Sequence, residues 1–365
     1  MRERNRGTGY RALFFLILWA AAASAQTTSD WDLLRQVVLV PGISGQEAKV
    51  MDWIEARLPK GVEAKRDAKN NLFFSAGQGR PHLLFVAHAD ELGMTVESFT
   101  PQGTVKLRGR GGFLPQACEA RPFVIHTSKG PVEGVMLPRP DYDARAPKPF
   151  SLEPYELYVG ASSEAEAKAL GIEAGDQVIF KKKTADLGPG IMATRAVDDR
   201  AGCASLLAAA LTVDWSKIKG RTVTCAWSVE EEVGLNGAAE LAKTMKPDYV
   251  FAIDTFVSTD SPVENKRFGY ARLGGGAVLR ALDSSNLVPK DELRKVIGLA
   301  ARRNIPVQVA NSRGGNDGSV FVAGGAVDIP LSWPGAHAHS FVEKVDRRDL
   351  AALTALIRAV IMEFE

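Results

Sequence analysis

Acidic and histidine side chains stand at the ends of three apolar, strand-like runs of the sequence. LLFVAHAD ends in His88 and Asp90, TVTCAWSVEEE ends in three consecutive glutamates, and DYVFAIDT carries Asp254 next to its end. Charged groups beside apolar strands are costly to bury unless a partner neutralises them. Imidazole and carboxylate are ligands that Zn²⁺ accepts. The pattern therefore predicts cations held at one edge of a sheet.

Two loop segments supply further candidate ligands. ATRAVDDRAG contains Asp198 and Asp199, and GAHAHS contains His337 and His339. Each feature alone has an ordinary structural explanation, since Asp caps helices, adjacent glutamates are usually solvated and a His-x-Asp pair is often structural. Their joint occurrence favours a metal site. A two-metal hydrolytic site needs a bridging carboxylate, terminal ligands on each metal and a base for the attacking water.

The spacing of these groups limits how they can meet. In a His-x-Asp pair on a strand both side chains share one face, so Asp90 can bind the far nitrogen of His88. Along the acidic run, Glu230 and Glu232 share a face and Glu231 points the other way. Glu231 and Glu232 can therefore enter one site only if the strand ends near Glu231, and the VGLNGA that follows permits such a turn.

The remaining histidines and the cysteines are predicted to have no catalytic role. His82 and His126 have no acidic neighbours in the sequence. Three cysteines are an odd, sparse set, which is not a disulfide framework. Cys203 and Cys225 lie in apolar runs and are predicted to be buried small hydrophobic residues.

The elements that must position the candidate ligands alternate between strand-like and helix-like runs. Continuous apolar runs such as LLFVA and YVFAI are typical of strands buried on both faces, as in parallel sheets. DDRAGCASLLAAAL, KDELRKVIGLAARRN and DRRDLAALTALIRAVIMEF have helical periodicity. We therefore predict an α/β fold, with a mostly parallel or mixed sheet flanked by helices. Nearer the amino terminus, Ser44 and Glu47 predict a capping box at the start of a helix.

A change in composition predicts an inserted second unit. From residue 99 to residue 190, short β-like runs such as RPFVIHT and YELYVG alternate with Gly, Pro and charged residues. We assign residues 99–190 to a small, mainly β domain that supplies no metal ligand. Residues 26–98 and 191–365 form the predicted catalytic domain. The length of 365 residues agrees with two domains.

The first 25 residues have the composition of an export signal. Four Arg accompany the apolar run ALFFLILWAAAA, which ends in the small residues of Ala23-Ser24-Ala25. The run is shorter than the roughly 20 residues of a membrane span, so we predict a cleaved signal peptide over residues 1–25 and an exported, periplasmic or extracellular protein without a stable membrane anchor. Without this segment the net charge is −1, which gives no electrostatic case for nucleic acid binding.

Six segments occur together in the order found in a known enzyme family. They are HADELGM, ATRAVDDRAG, VEEEVGLNGA, FAIDT, GGND and AHSFVEKVD. In these segments the chain resembles the glutamyl aminopeptidase family of dinuclear metallopeptidases, also called tetrahedral aminopeptidases or cellulase M. The resemblance covers essentially the whole chain after the amino-terminal segment. It implies a fold of the zinc-peptidase type, with an inserted domain that serves oligomerisation or substrate access. It also implies an enzyme that hydrolyses N-terminal residues from peptides.

The resemblance also implies a set of metal ligands. Two divalent ions are expected in each chain, zinc in the first place and cobalt or manganese as alternatives, with Asp198 as the bridging ligand. The other ligands fall into two pairs, with His88 and Glu232 on one metal and Asp254 and His339 on the other. Each pair completes its site with one oxygen of the shared carboxylate.

Further roles follow from the same resemblance. Glu231 is the implied general base, Asp90 orients His88, and the peptide bond between Asp198 and Asp199 is expected to be cis. The family also implies a homo-oligomer, built from dimers through the inserted domain, with a dodecamer as one form.

Two departures from the family pattern and two rival functions stay open at this point. GAHAHS places His337 as a competitor for the role of His339, and GGND stands where the family has Gly-Gly-Thr-Asp. One rival is a related metal-dependent amidohydrolase or carboxypeptidase. The other is an inactive periplasmic peptide-binding protein of the same fold, which would have no reason to keep Glu231.

Overall fold

A computed structural model describes residues 29–113, 115–139, 155–259, 270–340 and 342–365. The predicted signal peptide lies outside these ranges. Within them, no helix is both long and apolar enough to cross a membrane.

Eight α-helices are described in these ranges. They are α1 (Asp30–Val37), α2 (Ala48–Glu55), α3 (Glu164–Ala169), α4 (Val197–Thr212), α5 (Asn236–Thr244), α6 (Lys290–Arg302), α7 (Ser319–Val322) and α8 (Arg347–Glu363). The predicted capping box is wrong, because α2 begins after Glu47 without a side-chain cap and Ser44 bonds elsewhere.

Eighteen β-strands are described in the same ranges. They are β1 (Lys65–Arg66), β2 (Leu72–Gly77), β3 (Gly79–His88), β4 (Gly93–Phe99), β5 (Val105–Arg110), β6 (Pro122–Thr127), β7 (Gly130–Met136), β8 (Tyr155–Tyr158), β9 (Gln177–Phe180), β10 (Ala185–Asp186), β11 (Ile191–Thr194), β12 (Gly220–Ser228), β13 (Tyr249–Val257), β14 (Ala277–Leu282), β15 (Val307–Asn311), β16 (Val327–Asp328), β17 (Leu331–Gly335) and β18 (Glu343–Asp346).

The largest sheet is mixed and confirms the predicted α/β class. Its strand order is β1-β2-β12-β3-β13-β17-β14-β15, with β16 paired to β13. The central strands β12, β3, β13 and β17 run parallel, whereas β1, β2 and the β17–β14 pair are antiparallel. Parallel strands of this kind must be covered on both faces, which accounts for their continuous apolar sequence.

The alternation of side chains along β3 divides the core into two layers. Phe85 and Ala87 pack in the cluster that contains the apolar faces of α1, α4 and α8. Leu84 and Val86 point the other way, into the cluster shared with α5 and α7. Each fully buried Leu or Phe of this kind contributes about 1.5–3 kcal/mol. The sheet is therefore held between helices, and its strand ends form a fixed edge.

The centre of the sequence folds as a closed barrel in the order β4-β5-β8-β7-β6-β9. Its own core includes Phe123, Leu157 and Val178. The barrel starts at Gly93, before the predicted boundary at residue 99, because β4 pairs with both β5 and β9. Its independence as a domain stays a prediction.

Candidate active site

Two neighbouring parallel strands bring the first donors together. β3 ends at His88, β13 carries Asp254, and the pairing of the strands places Ile253 beside Ala87. Because the strands run in the same direction, both side chains lie at the same edge of the sheet, where α/β proteins bind ligands. His88 Nε2 lies 3.9 Å from Asp254 Oδ1.

Asp198 stands between two histidines at the start of α4. Ala196 has a left-handed backbone with φ of 63°, and Asp198 and Asp199 depart from helical dihedral angles. The peptide bond between the two aspartates is cis, as predicted. Asp198 Oδ1 lies 3.3 Å from His88 Nε2, and its Oδ2 lies 3.7 Å from His339 Nε2. One carboxylate therefore faces two donor groups with separate oxygens.

The turn after β12 delivers two adjacent glutamates to one cavity. β12 ends before all three glutamates, and Glu230 turns the chain with φ of 53°. The carboxylate of Asp90 accepts hydrogen bonds from the backbone N–H groups of Glu231 (3.0 Å) and Glu232 (3.2 Å). Glu230 forms an ion pair with Lys69 instead, at 3.0 Å. The expected turn is present, and it begins earlier than the sequence predicts.

The candidate ligands form two groups that share Asp198. His88, Asp198 and Asp254 make one group, Asp198, Glu232 and His339 make the other, and the donor atoms of each lie within 4.8 Å of one another. This corrects the pairing implied by the family resemblance. His88 joins Asp254 because their strands are sheet neighbours, whereas Glu232 lies beyond the strand end, 3.5 Å from His339.

Four further residues named in the sequence analysis, two of them histidines predicted to be non-catalytic, also lie outside both groups. Asp199 is buried and accepts hydrogen bonds from the Trp333 indole at 3.2 Å and from a backbone N–H of α4. His82 bonds the Thr224 hydroxyl within the sheet, and His126 lies on barrel strand β6. The fourth is His337, the competitor for His339.

The charges at this edge of the sheet create a need for cations. Burial raises the pKa of Glu232 well above its usual range, and the charge of Asp198 adds to the effect. Burial also raises the pKa of Asp254, although Arg280 opposes it. Burial lowers the pKa of His88, but the neighbouring carboxylates of Asp198 and Asp90 outweigh this and raise it well above its usual range. Buried charges of one sign are stable only when paired or bound to metal.

The donor set fits divalent metal ions. It consists of imidazole nitrogens and carboxylate oxygens, which are the zinc ligands of hydrolytic enzymes. Within the described chain, the buried Asp198 Oδ1 has no hydrogen-bond partner. An oxygen of this kind is free to ligate a cation.

Three supporting residues were not predicted from the sequence as parts of the site. Ser44 Oγ donates to Asp90 at 2.6 Å, and Glu47 accepts the N–H of Glu230 at 3.0 Å. Glu343 of β18 accepts three backbone N–H groups, those of Val197 (2.6 Å), Asp198 (3.1 Å) and His339 (3.1 Å). Glu343 does lie in the segment AHSFVEKVD, which was the available signal.

A cavity of about 410 Å³ opens onto the donor groups. Glu231 and both histidines line it together with uncharged side chains, among them Phe113 and Val257. Phe113 belongs to the loop after β5, so the barrel supplies part of the wall. A cleft of this size with a few converging polar groups suits a small ligand or a peptide end.

The fold and the site together define an α/β metallohydrolase with an inserted barrel. Within that class, the chain belongs to the M42 glutamyl aminopeptidase family, whose model matches residues 70–356. It is therefore an aminopeptidase, a hydrolase that acts on peptide bonds.

Named relatives and a solved structure support this membership along almost the whole chain. The chain is similar to putative aminopeptidase FrvX of Escherichia coli, with 29% identity over 90% of this chain and 93% of the relative. It is similar to lysyl aminopeptidase of Pyrococcus furiosus, with 28% identity over 92% of this chain and 98% of the relative. TET1 peptidase of Pyrococcus horikoshii has 32% identity and a TM-score of 0.85 over 92% of this chain and 100% of that structure.

The predicted signal peptide and periplasmic setting do not agree with these comparisons and are corrected. The chain matches FrvX, lysyl aminopeptidase and TET1 peptidase along nearly its full length, and none of these is described as an exported protein. The prediction depends on composition alone, and an apolar run after basic residues is not specific to export. We do not assign this chain to the periplasm.

Proposed function

We propose that this aminopeptidase uses two divalent cations, with zinc as the metal, held by the two donor groups that share Asp198. The observation that carries the proposal is the placement of that carboxylate, which directs one oxygen toward each histidine. A bridging carboxylate allows two cations to approach closely although their charges repel. The terminal ligands are His88 and Asp254 on one side and Glu232 and His339 on the other.

Glu231 is the proposed general base of the reaction. It lines the cavity beside the donor groups and belongs to neither of them. Burial raises the pKa of Glu231 well above its usual range, and the charge of Asp254 adds to this. A carboxylate in such a place can take a proton from the attacking water and return it to the leaving amine. Bound divalent cations supply Lewis acidity toward the scissile carbonyl.

Asp90 is the proposed positioning residue for both His88 and Glu231. Its Oδ1 lies 3.3 Å from His88 Nδ1, which fixes the ring with Nε2 toward Asp198. The same oxygen accepts the N–H of Glu231 at 3.0 Å. One buried carboxylate therefore orients a ligand and the base together.

We also propose that the chain forms a homo-oligomer. TET1 peptidase is described as assembling into a tetrahedron or a large octahedral shell. Light scattering that gives the mass of a single chain would contradict this proposal.

The activity is tested with leucine p-nitroanilide and its N-acetylated form as a matched control. We expect the metal-loaded protein to hydrolyse only the free amine and to lose this activity in a chelator. Equal hydrolysis of both compounds would favour the amidohydrolase alternative. Absence of turnover with any free aminoacyl substrate, in a protein that carries both metals, would favour the peptide-binding alternative.

A further inference from the structure

Apart from the donor groups, Glu231 and Arg280, the residues described in the cavity wall are uncharged. They include Phe113, Val257, Ser312 and Ala338, together with glycines of the loop after β15. A side chain bound beside the metals therefore meets carbon and hydroxyl groups.

Arg280 is not available to bind a substrate. Its Nε donates to the Ser332 hydroxyl at 2.8 Å, and its Nη1 donates to the Gly315 carbonyl at 2.9 Å. Its Nη2 lies 3.1 Å from Asp254 Oδ2 and also donates to the Thr255 carbonyl. The side chain is 2% exposed. All three guanidinium nitrogens are bonded to protein groups. An acidic substrate side chain therefore has no free cation to pair with on the described wall.

The barrel holds Phe113 close to the donor group that contains Glu232. Gly111 has φ of 80°, and a Cβ there would lie 2.3 Å from Leu92 and 3.3 Å from the Cβ of Glu232. The loop thus passes directly over the strand end, which only glycine permits at this position. Two residues later Phe113 lines the cavity, with its ring 6.0 Å from that of Tyr155 in the barrel.

We infer that the enzyme prefers uncharged, apolar N-terminal residues and that Phe113 and Val257 determine this preference. The inference rests on the proposed function, because it concerns the side chain next to the bond that the metal site cleaves. Burying a charged side chain against these groups leaves it unpaired, which is costly. The related enzymes named for lysine or glutamate therefore do not predict the substrate of this chain.

The test compares kcat/KM for leucine, alanine, glutamate and lysine p-nitroanilides. We expect leucine to exceed glutamate and lysine by at least about tenfold, the scale of discrimination that a hydrophobic pocket supplies. Higher kcat/KM for glutamate or lysine would overturn the inference and leave the aminopeptidase activity intact. Hydrolysis of none of the four would instead overturn the proposed function, and this inference with it.

Substitutions at Phe113 and Val257 test whether these residues determine the preference. Phe113→Ala should lower the leucine-to-alanine ratio of kcat/KM by about tenfold, since lost contact with a side chain of this size weakens discrimination to that extent. Tyr158→Ala is the matched control, because Tyr158 is a 49% exposed ring on barrel strand β8 and does not line the cavity. If Phe113→Ala does not fold, Val257→Ala makes the same test from β13. An unchanged ratio in a folded Phe113 or Val257 variant would refute the assignment.

Discussion

At the scale of single residues, adjacent glutamates have different environments and should behave differently. Glu231 lines the cavity, while Glu230 pairs with Lys69 and accepts from Asn236 at 3.1 Å. We expect Glu231→Gln to keep both metals and the fold but to lose about 10²–10⁴-fold in kcat, the usual contribution of a general acid or base. Glu230→Gln should change kcat little.

Steady-state kinetics and elemental analysis of both variants, side by side, check this expectation. Glu230→Gln is the internal control, since it makes the same chemical change one residue away. Loss of metal from Glu231→Gln would show that Glu231 is a ligand. A large loss of kcat in Glu230→Gln alone would exchange the roles of the two glutamates.

At the scale of elements, strand β18 connects the two segments that carry Asp198 and His339. Glu343 accepts N–H groups from both segments, and Ala196 and His339 have left-handed backbones with φ of 63° and 60°. An amide in place of this carboxylate must turn its NH₂ toward one of the segments. We expect Glu343→Gln to weaken metal binding at the group containing His339 by about 10–100-fold, as loss of a supporting contact does. Equilibrium dialysis measures the affinity.

Asp349 provides a matched control for Glu343. It is also fully buried, and it accepts the N–H groups of Gly274 and Gly276, both at 2.7 Å, outside the cavity wall. Asp349→Asn should lower the melting temperature as Glu343→Gln does, because each charged hydrogen bond contributes about 1.5–3 kcal/mol. It should leave metal affinity unchanged. If Glu343→Gln and Asp349→Asn bind metal with equal affinity, Glu343 has a purely structural role.

Secondary-structure elements could be predicted from the sequence, but their arrangement in space could not. Strand ends, helices and the candidate ligands could be predicted, because apolar runs that stop at acids specify both the strand and its edge. The grouping of His88 with Asp254 could not be predicted from the sequence, because it depends on which strands are neighbours in the sheet. Ser44 was assigned to a local capping box, but its hydroxyl bonds Asp90, far away in the sequence. Contacts of this kind become visible only in the folded chain.

At the scale of the whole molecule, metal binding should contribute to the stability of the fold. Buried carboxylates in both donor groups are left uncompensated when cations are removed. Occupancy of one site at 100 times its Kd stabilises the folded state by about 2.7 kcal/mol. We expect a chelator to lower the melting temperature by at least about 5 °C, since 1 kcal/mol corresponds to about 2–4 °C in domains of 150–250 residues.

Thermal unfolding with and without chelator measures this contribution. Asp198→Asn is the control, because it removes the shared ligand and its melting temperature should respond much less to the chelator. An equal response in the two proteins would mean that the stabilising cations bind elsewhere. No response in the wild type would contradict metal binding by the native fold.

The loop of Gly111, Gly112 and Phe113 allows substrate selectivity to change independently of the catalytic site. The loop comes from the barrel, and the donor groups come from the large sheet and its flanking segments. A combinatorial library limited to Phe113 and the positions beside it could therefore diversify selectivity while the hydrolytic machinery stays constant. Natural relatives can diverge in the same way. Mutations in this single loop would change which peptides are cleaved, while the reaction stays the same.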